Sequence, residues 1–159
     1  MKKIVLTQGK VALVDDQDFD WLSQWKWCAI KDHNTFYACR GIWDGKRVHR
    51  IFMHRLILNP PNGFISDHRD SNGLNNQRQN LRIATAAQNR ANGCLNKDNH
   101  SGYRGVCREN KSIKWKAQIK FRGRMYHLGD FETPEEAGKI YDQKAIELFG
   151  EFARPNFSK

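Results

Sequence analysis

The chain has 159 residues, 39% of them hydrophobic and 11% aromatic, with a formal net charge of +10 and a pI near 9.7. That length allows one ordinary domain or two small ones, and no run approaches the roughly 18 apolar residues of a membrane span. The charge favours a polyanionic partner met by fast, salt-sensitive association, but it does not separate DNA from RNA.

Residues 1–50 read as short strands at 4–6, 11–14, 27–30, 35–38 and 47–48, separated by Gly9-Lys10, Asp32-His33-Asn34 and Asp44-Gly45. Trp21, Leu22, Trp25 and Trp27 cluster around an acidic run from Asp15 to Asp20. Core packing is favoured for these tryptophans over base stacking, because a small module needs large side chains to bury enough area. Four cysteines, Cys28, Cys39, Cys94 and Cys107, are scattered without a CxxC pair, which argues against a zinc knuckle built from cysteine alone. No continuous apolar stretch follows Lys2 and Lys3, so no signal peptide is expected, and a reducing, cytoplasmic setting is the default.

Residues 51–58 are apolar except for His54 and Arg55 and read as a short helix ended by Asn59-Pro60-Pro61-Asn62-Gly63; His54 is read first as a partly buried structural histidine. A strand over 64–68 ends at Asp67-His68, crosses a polar loop and returns over 81–84. Thr85 is placed to cap a helix over 86–92, closed by Gly93, and residues 95–100 form a polar linker.

Strands follow at 104–107, 114–121 and 125–131, with Phe121-Arg122-Gly123-Arg124 as the second turn. Along the middle strand Trp115, Ala117, Ile119 and Phe121 alternate with Lys114, Lys116, Gln118 and Lys120, which puts an apolar set and a basic set on opposite faces. Trp115 shares phase with Ala117 and Ile119 and is assigned to the core rather than to a base contact. Thr133-Pro134-Glu135-Glu136 carries cap, first-turn proline and capping-box glutamate for a helix whose stripe of Ala137, Ile140, Tyr141, Ala145 and Leu148 can cover the apolar face. Charge follows the same split: residues 97–124 carry a net +7 and residues 125–159 a net −3.

The middle of the chain is dense in asparagine: Asn72, Asn75, Asn76, Asn80 and Asn89 follow Asp67-His68 and Asp70. Asparagine competes with the backbone for hydrogen bonds, so such a density beside an Asp-His pair asks for a reason. One reading is a surface turn with loop-forming asparagines. The other is metal coordination next to a general base. An imidazole near its ordinary pKa is a usable base for activating water at neutral pH, and Asp67 can supply a hard oxygen ligand. Neighbours on a strand point to opposite faces, so this pair works only at a strand end or bulge. Asn89 can add a second oxygen ligand, and one carboxylate with one amide suits Mg²⁺ or Mn²⁺ completed by water and DNA phosphate. Asn80 is expected to tie the loop to the metal-bearing helix. Asn75 and Asn76 are read as fixing the loop, and Asp70 as a turn cap or metal helper.

The run His54-Arg55, Asp67-His68-x-Asp70-x-Asn72, Asn75-Asn76, Asn80-Leu81-Arg82 and Asn89-x-x-Asn92 resembles the HNH homing endonucleases common in phages. That resemblance implies a His-Me finger, or ββα-metal, core gripping one metal. Asp67 would be metal ligand, His68 general base, Asn80 loop brace and Asn89 the last metal ligand, where many members carry His. Residues 101–157 resemble the AP2 DNA-binding domain through Ser101-Gly102-Tyr103-Arg104-Gly105-Val106, Trp115-Lys116-Ala117-Gln118-Ile119, Leu128-Gly129-x-Phe131, Tyr141-Asp142 and Asn156-Phe157. In that family the outer face of a three-stranded sheet enters the major groove. Carried over, this implies DNA contacts from Arg104, Lys116, Gln118 and Lys120, with Arg122 and Arg124 near the turn and Arg108 a further candidate. Cys107, Glu109 and Asn110 depart from the arginine-rich first strand and loop of the plant regulators, so their target sequence is not inherited.

The expected fold class is therefore α+β. A β-rich part at 1–50 packs on a nuclease core at 51–94, and a linker at 95–100 leads to an AP2-type sheet on one helix at 101–159. The expected function is metal-dependent nicking of double-stranded DNA by a monomer or weak dimer, with no membrane association, in a phage-infected or bacterial host. The alternative is a catalytically inactive DNA-binding regulator.

Overall fold

The computed structural model describes residues 1–32, 34–93, 95, 98–108 and 112–157. His33 of the expected turn, Cys94, Asn96 and Lys97 of the linker, and Glu109 and Asn110 lie outside the described residues. The chain divides into two compact units, Met1–Ala86 and Ala87–Lys159. Its architecture is mixed α+β, with several small antiparallel sheets.

In the first unit β1 (Lys2–Val5) pairs with β2 (Val11–Val14), and α1 (Asp16–Leu22) follows. Next come β3 (Cys28–Asp32), β4 (Thr35–Trp43) and β5 (Val48–Phe52), a three-stranded antiparallel sheet in the order β3-β4-β5. Then α2 (Met53–Leu58) leads to the hairpin of β6 (Ile65–His68) and β7 (Leu81–Ala84).

Two elements differ from the sequence reading. The acidic run is helical: Asp15 stands extended ahead of α1, and Asp16 and Asp18 occupy its first turn, where negative charge meets the positive end of the helix dipole. Seven residues make only about two turns, too short for the apolar period of Phe19 and Leu22 to show. Ile51 and Phe52, read as helix, instead extend β5, because they pair with Arg40 and Cys39 of β4. The helix is confined to α2, which ends at Asn59 in a left-handed conformation just before Pro60, a residue that disfavours helix in its predecessor.

Ile4, Leu6, Val14, Leu22, Trp27, Met53, Ile57 and Leu81 form the core of this unit. The tryptophans serve packing, as expected. Trp21, Trp25 and Trp27 meet edge to face at 5.9 and 6.3 Å, and Trp27 Nε1 donates to the Leu22 carbonyl at 2.8 Å. Cys28 and Cys39 face each other across β3 and β4 as free thiols.

The second unit begins within α3 (Ala86–Asn92), whose first residue belongs to the first unit. Its sheet, in the order β10-β9-β8, comprises β8 (Val106–Cys107), β9 (Trp115–Phe121) and β10 (Arg124–Phe131), all antiparallel. The turn between β9 and β10 places Arg122 and Gly123 at positive φ, as a two-residue hairpin of I′ type requires. The helix α4 (Pro134–Phe149) carries the complete capping box: Thr133 Oγ1 accepts from Glu136 N–H, and the Glu136 carboxylate accepts from Thr133 N–H.

Ala137, Tyr141 and Ala145 of α4 pack with Val106, Ala117 and Ile119 of the sheet, and Trp115 joins this core. Asp142 accepts backbone bonds from Asn156 and Phe157, while Asn156 Oδ1 accepts from Arg104 N–H, so the end of the chain is tied to the start of the sheet. Gly105 sits at φ +71°, and a Cβ there would lie 1.9 Å from the Tyr141 ring. Gly105→Ala is therefore expected to destabilise this unit by well over about 1 kcal/mol, read as an earlier denaturant midpoint for this unit alone.

Candidate active site

His68 is the last residue of β6, so the Asp67-His68 pair stands at a strand end, where the sequence reading placed it. The two side chains take different surroundings. Asp67 lies opposite Arg82 on β7, and Arg82 Nε donates to Asp67 Oδ2 at 2.8 Å, with both side chains only 5–6% exposed. His68 packs against aromatic rings, at 5.0 Å from His54 and 5.7 Å from Tyr37. His54 is stacked on Phe52 at 5.5 Å, so it is indeed a buried histidine.

Burial holds the His68 pKa below the ordinary imidazole value, against a hydrogen bond to Asn76 and the charges of Asp70 and Asp67 that pull it upward. The ring is therefore neutral near pH 7 and able to accept a proton. Its Nε2 lies 3.4 Å from Asn76 Oδ1. An amide oxygen only accepts, so this contact suits the tautomer with the proton on Nε2 and the basic lone pair on Nδ1. Sequence reasoning took Asn76 for a loop former. Its role in orienting His68 depends on a contact eight residues away, which spacing does not reveal.

The loop from Arg69 to Asn80 is over-determined. Asn80 Nδ2 donates to Asp70 Oδ1 at 2.9 Å and to the Asn75 carbonyl at 2.8 Å, and Asn80 Oδ1 accepts from Asp70 N–H. Asp70 also accepts from Asn75 Nδ2 and Asn72 N–H at 2.8 Å each. Asp70 is thus a loop tie, and Asn80 braces the loop itself.

The N-terminal part holds this loop from outside. Leu13 exchanges backbone bonds with Leu74 and Asn76, and Thr35 Oγ1 accepts from Gly73 N–H. Arg78 forms a two-point pair with the buried Asp18, 2.8 Å on each arm, and its backbone N–H donates to Asp15 Oδ2 at 2.7 Å. Asp18 of α1 and Asp15 just ahead of it anchor the asparagine loop.

Asn89 lies half-buried on α3, within the second unit. Among the described residues no group of three or more His, Cys, Asp or Glu side chains is placed to hold a metal ion.

Burial also sets a pH dependence. Desolvation, followed by the nearby charges of His68 and Arg55, pushes His54 down to about 3. The unfolded chain protonates this ring near pH 6.5, so between pH 6.5 and 3 the unfolded state holds more protons. Stability is full above pH 6.5 and should fall below it by up to about 1.4 kcal/mol per pH unit. His54→Phe should flatten that acid limb in denaturant titrations taken at successive pH values.

In the second unit, Lys116, Gln118 and Lys120 alternate with the buried Ala117 and Ile119 along β9, so they occupy the face away from α4. Gln118 Nε2 donates to Cys107 Sγ at 3.3 Å across β8. Arg108 lies over the Trp115 ring at 5.2 Å and Arg122 over Phe121 at 5.2 Å, while Arg124 is exposed at the turn. Arg104 behaves differently from the others: its guanidinium donates to the Gly93 carbonyl.

One unit holds a buried Asp-His hairpin with a braced asparagine loop, and the other a sheet with one basic face. The chain is 34% identical over 151 residues to an uncharacterised HNH endonuclease of Acanthamoeba polyphaga mimivirus, covering 94% of this chain and 76% of that protein. It belongs to the HNH endonuclease family. It is also 32% identical over 94 residues to Protein 3.8 of Escherichia phage T7, covering 59% of this chain and 77% of that protein. An ethylene-responsive transcription factor of Arabidopsis thaliana shares 42% identity over 59 residues, 36% of this chain and 14% of the factor. The N-terminal region is thus HNH-nuclease-like and the C-terminal region AP2/ERF-like. No protein-family profile matches the chain, and no solved structure matches it. No helix among the described residues is long and apolar enough to cross a membrane.

Proposed function

We propose that the protein is a metal-dependent endonuclease of the homing type that nicks double-stranded DNA. The observation that carries this reading is the strand-end Asp67-His68 pair, with His68 neutral and held by Asn76. In the proposed reaction His68 Nδ1 takes a proton from the attacking water, and the Asn76 oxygen keeps the ring in the tautomer that can do so. Asn80 fixes the loop that carries Asn76, through Asp70 and Asn75.

The donor chemistry fits a hard, hydrated cation. Asp67 would supply the hard carboxylate oxygen that such a cation takes. Asn89, assigned by its place in the motif, would add an amide oxygen, and water and DNA phosphate would complete the set. Such a ligand set suits Mg²⁺ or Mn²⁺ and not zinc, which takes more His or Cys. When bound, the cation would stabilise charge on the scissile phosphate and the leaving 3′ oxygen. Residues 51–94 form the ββα-metal core in this reading.

The AP2-like sheet would hold the DNA. Arg104, Arg108, Arg122 and Arg124 would read bases or phosphates, Gln118 would reach a base edge, and Lys116 and Lys120 would neutralise phosphate. One active site in a monomer or weak dimer makes a nick the simplest product. A phage or bacterial mobile element is the setting that the family implies.

The buried Asp67–Arg82 pair supports a second reading, an inactive DNA-binding regulator whose carboxylate serves structure alone. Supercoiled plasmid incubated with the protein and Mg²⁺ or EDTA separates the two. Conversion to open circle only with Mg²⁺ is expected of the nuclease; tight binding without conversion would leave the regulator.

A further inference from the structure

We propose that the β4–β5 hairpin of the first unit is a second DNA-binding surface, an arm leading from the rings around His68 to an exposed Trp43–Val48 tip. The inference rests on the nuclease reading and adds a contact that the AP2-like sheet does not provide.

Strand alternation defines the face. Cys39, Gly41 and Trp43 of β4 share one side of the sheet with their register partners Phe52, Arg50 and Val48 of β5. At the inner end of this face, Phe52 meets Tyr37 at 6.1 Å, and Tyr37 lies 5.7 Å from His68. At the outer end Trp43 is 64% and Val48 65% exposed, a cross-strand apolar pair with nothing over it in this unit. Gly41 leaves the surface low between the two ends, and Val48 leans into the space its side chain would fill: a Cβ there would lie 2.7 Å from Val48 Cγ1.

The arm is also preorganised and positively charged. Asp44 accepts backbone bonds from Lys46 and Arg47 at 2.8 Å each, and its side chain pairs with His49. Arg47 Nε contacts His49 Nε2 at 3.3 Å, so the turn is fixed by its own side chains. Lys46, Arg47 and Arg50 stand at or near the tip against the single carboxylate of Asp44. An exposed aromatic on a hairpin that also carries cations is complementary to a duplex: the cations would meet phosphates and the ring would meet sugar or a base step in the groove.

From Phe52 to Val48 the strand rises about 14 Å, the length of roughly four base pairs. In this proposal the tip meets DNA several base pairs away from the scissile phosphate. It would register the cut site independently of the second unit.

The test compares the full chain with Trp43→Ala and Arg50→Ala. Binding is measured to a random-sequence DNA duplex across a salt series, sedimentation is recorded for each protein, and cleavage positions are mapped on a nicked plasmid. Both substituted residues are exposed, so unchanged denaturant melts should accompany the effects. Arg50→Ala is expected to lower the slope of log affinity against log salt by about 0.9. Trp43→Ala is expected to weaken binding by about tenfold and to blur the cleavage position. Binding and salt slope unchanged in both variants would overturn the proposal, even where the wild type nicks. If Trp43→Ala shifts only a monomer–dimer equilibrium, the tip covers a second copy, and the DNA assignment falls. If the wild type binds but does not nick, the nuclease reading fails, while the binding comparison still decides for or against the arm. Absence of any binding overturns both.

Discussion

His68→Ala is expected to lower the rate of plasmid nicking by about 10²–10⁴-fold while duplex binding stays within a few-fold of wild type. The size follows from what the side chain does in the proposed reaction. Water is a weak nucleophile, and removal of its proton in the transition state is the contribution a positioned base makes. His54, 5.0 Å away, does not replace it, because its ring is stacked on Phe52, meets Tyr37 edge to face and is harder still to protonate. The substitution also opens space in a buried ring cluster, so His68→Asn serves as a second variant: it retains more volume and polar groups near Asn76 but supplies no base. Loss of nicking in both, with preserved binding, would assign the base. Nicking within tenfold of wild type in either variant would remove His68 from the chemistry.

Arg82→Leu is expected to destabilise the first unit by about 3–5 kcal/mol. The Asp67–Arg82 pair is nearly sealed from water, and removing the cation strands an ionised carboxylate in a low-dielectric setting. Equilibrium denaturant unfolding, followed through the tryptophan cluster of that unit, measures the loss. Asp67→Asn combined with Arg82→Leu should recover a large share, since no unpaired charge then remains. A double variant as unstable as Arg82→Leu alone would show that Arg82 acts through packing of its stem and not through charge.

How legible each part was follows from the range of the interactions behind it. The capping box at Thr133, the basic and apolar alternation along β9, the turn at Arg122-Gly123 and the strand end at His68 are local patterns, and the structure carries them where the sequence placed them. The helix α1 and the reach of β5 to Phe52 were misread. The first is too short for its periodicity to show, and the second exists only because β4 offers a partner. The tie between Asp18 and Arg78 links residues sixty apart. No spacing rule reaches across that distance.

The sequence by itself therefore determined the chemistry on offer: which side chains accept protons, which provide hard oxygen donors, which face of the C-terminal sheet is basic, and which families the chain resembles. Tertiary structure alone decided how those groups are tuned. It paired Asp67 with Arg82, set Asn76 against His68, surrounded both histidines with aromatic rings, and turned Asp15 and Asp18 into anchors of the asparagine loop. The physical reason is that proton affinity and side-chain orientation depend on desolvation and on contacts made through space. Both are fixed only when distant segments close over the site.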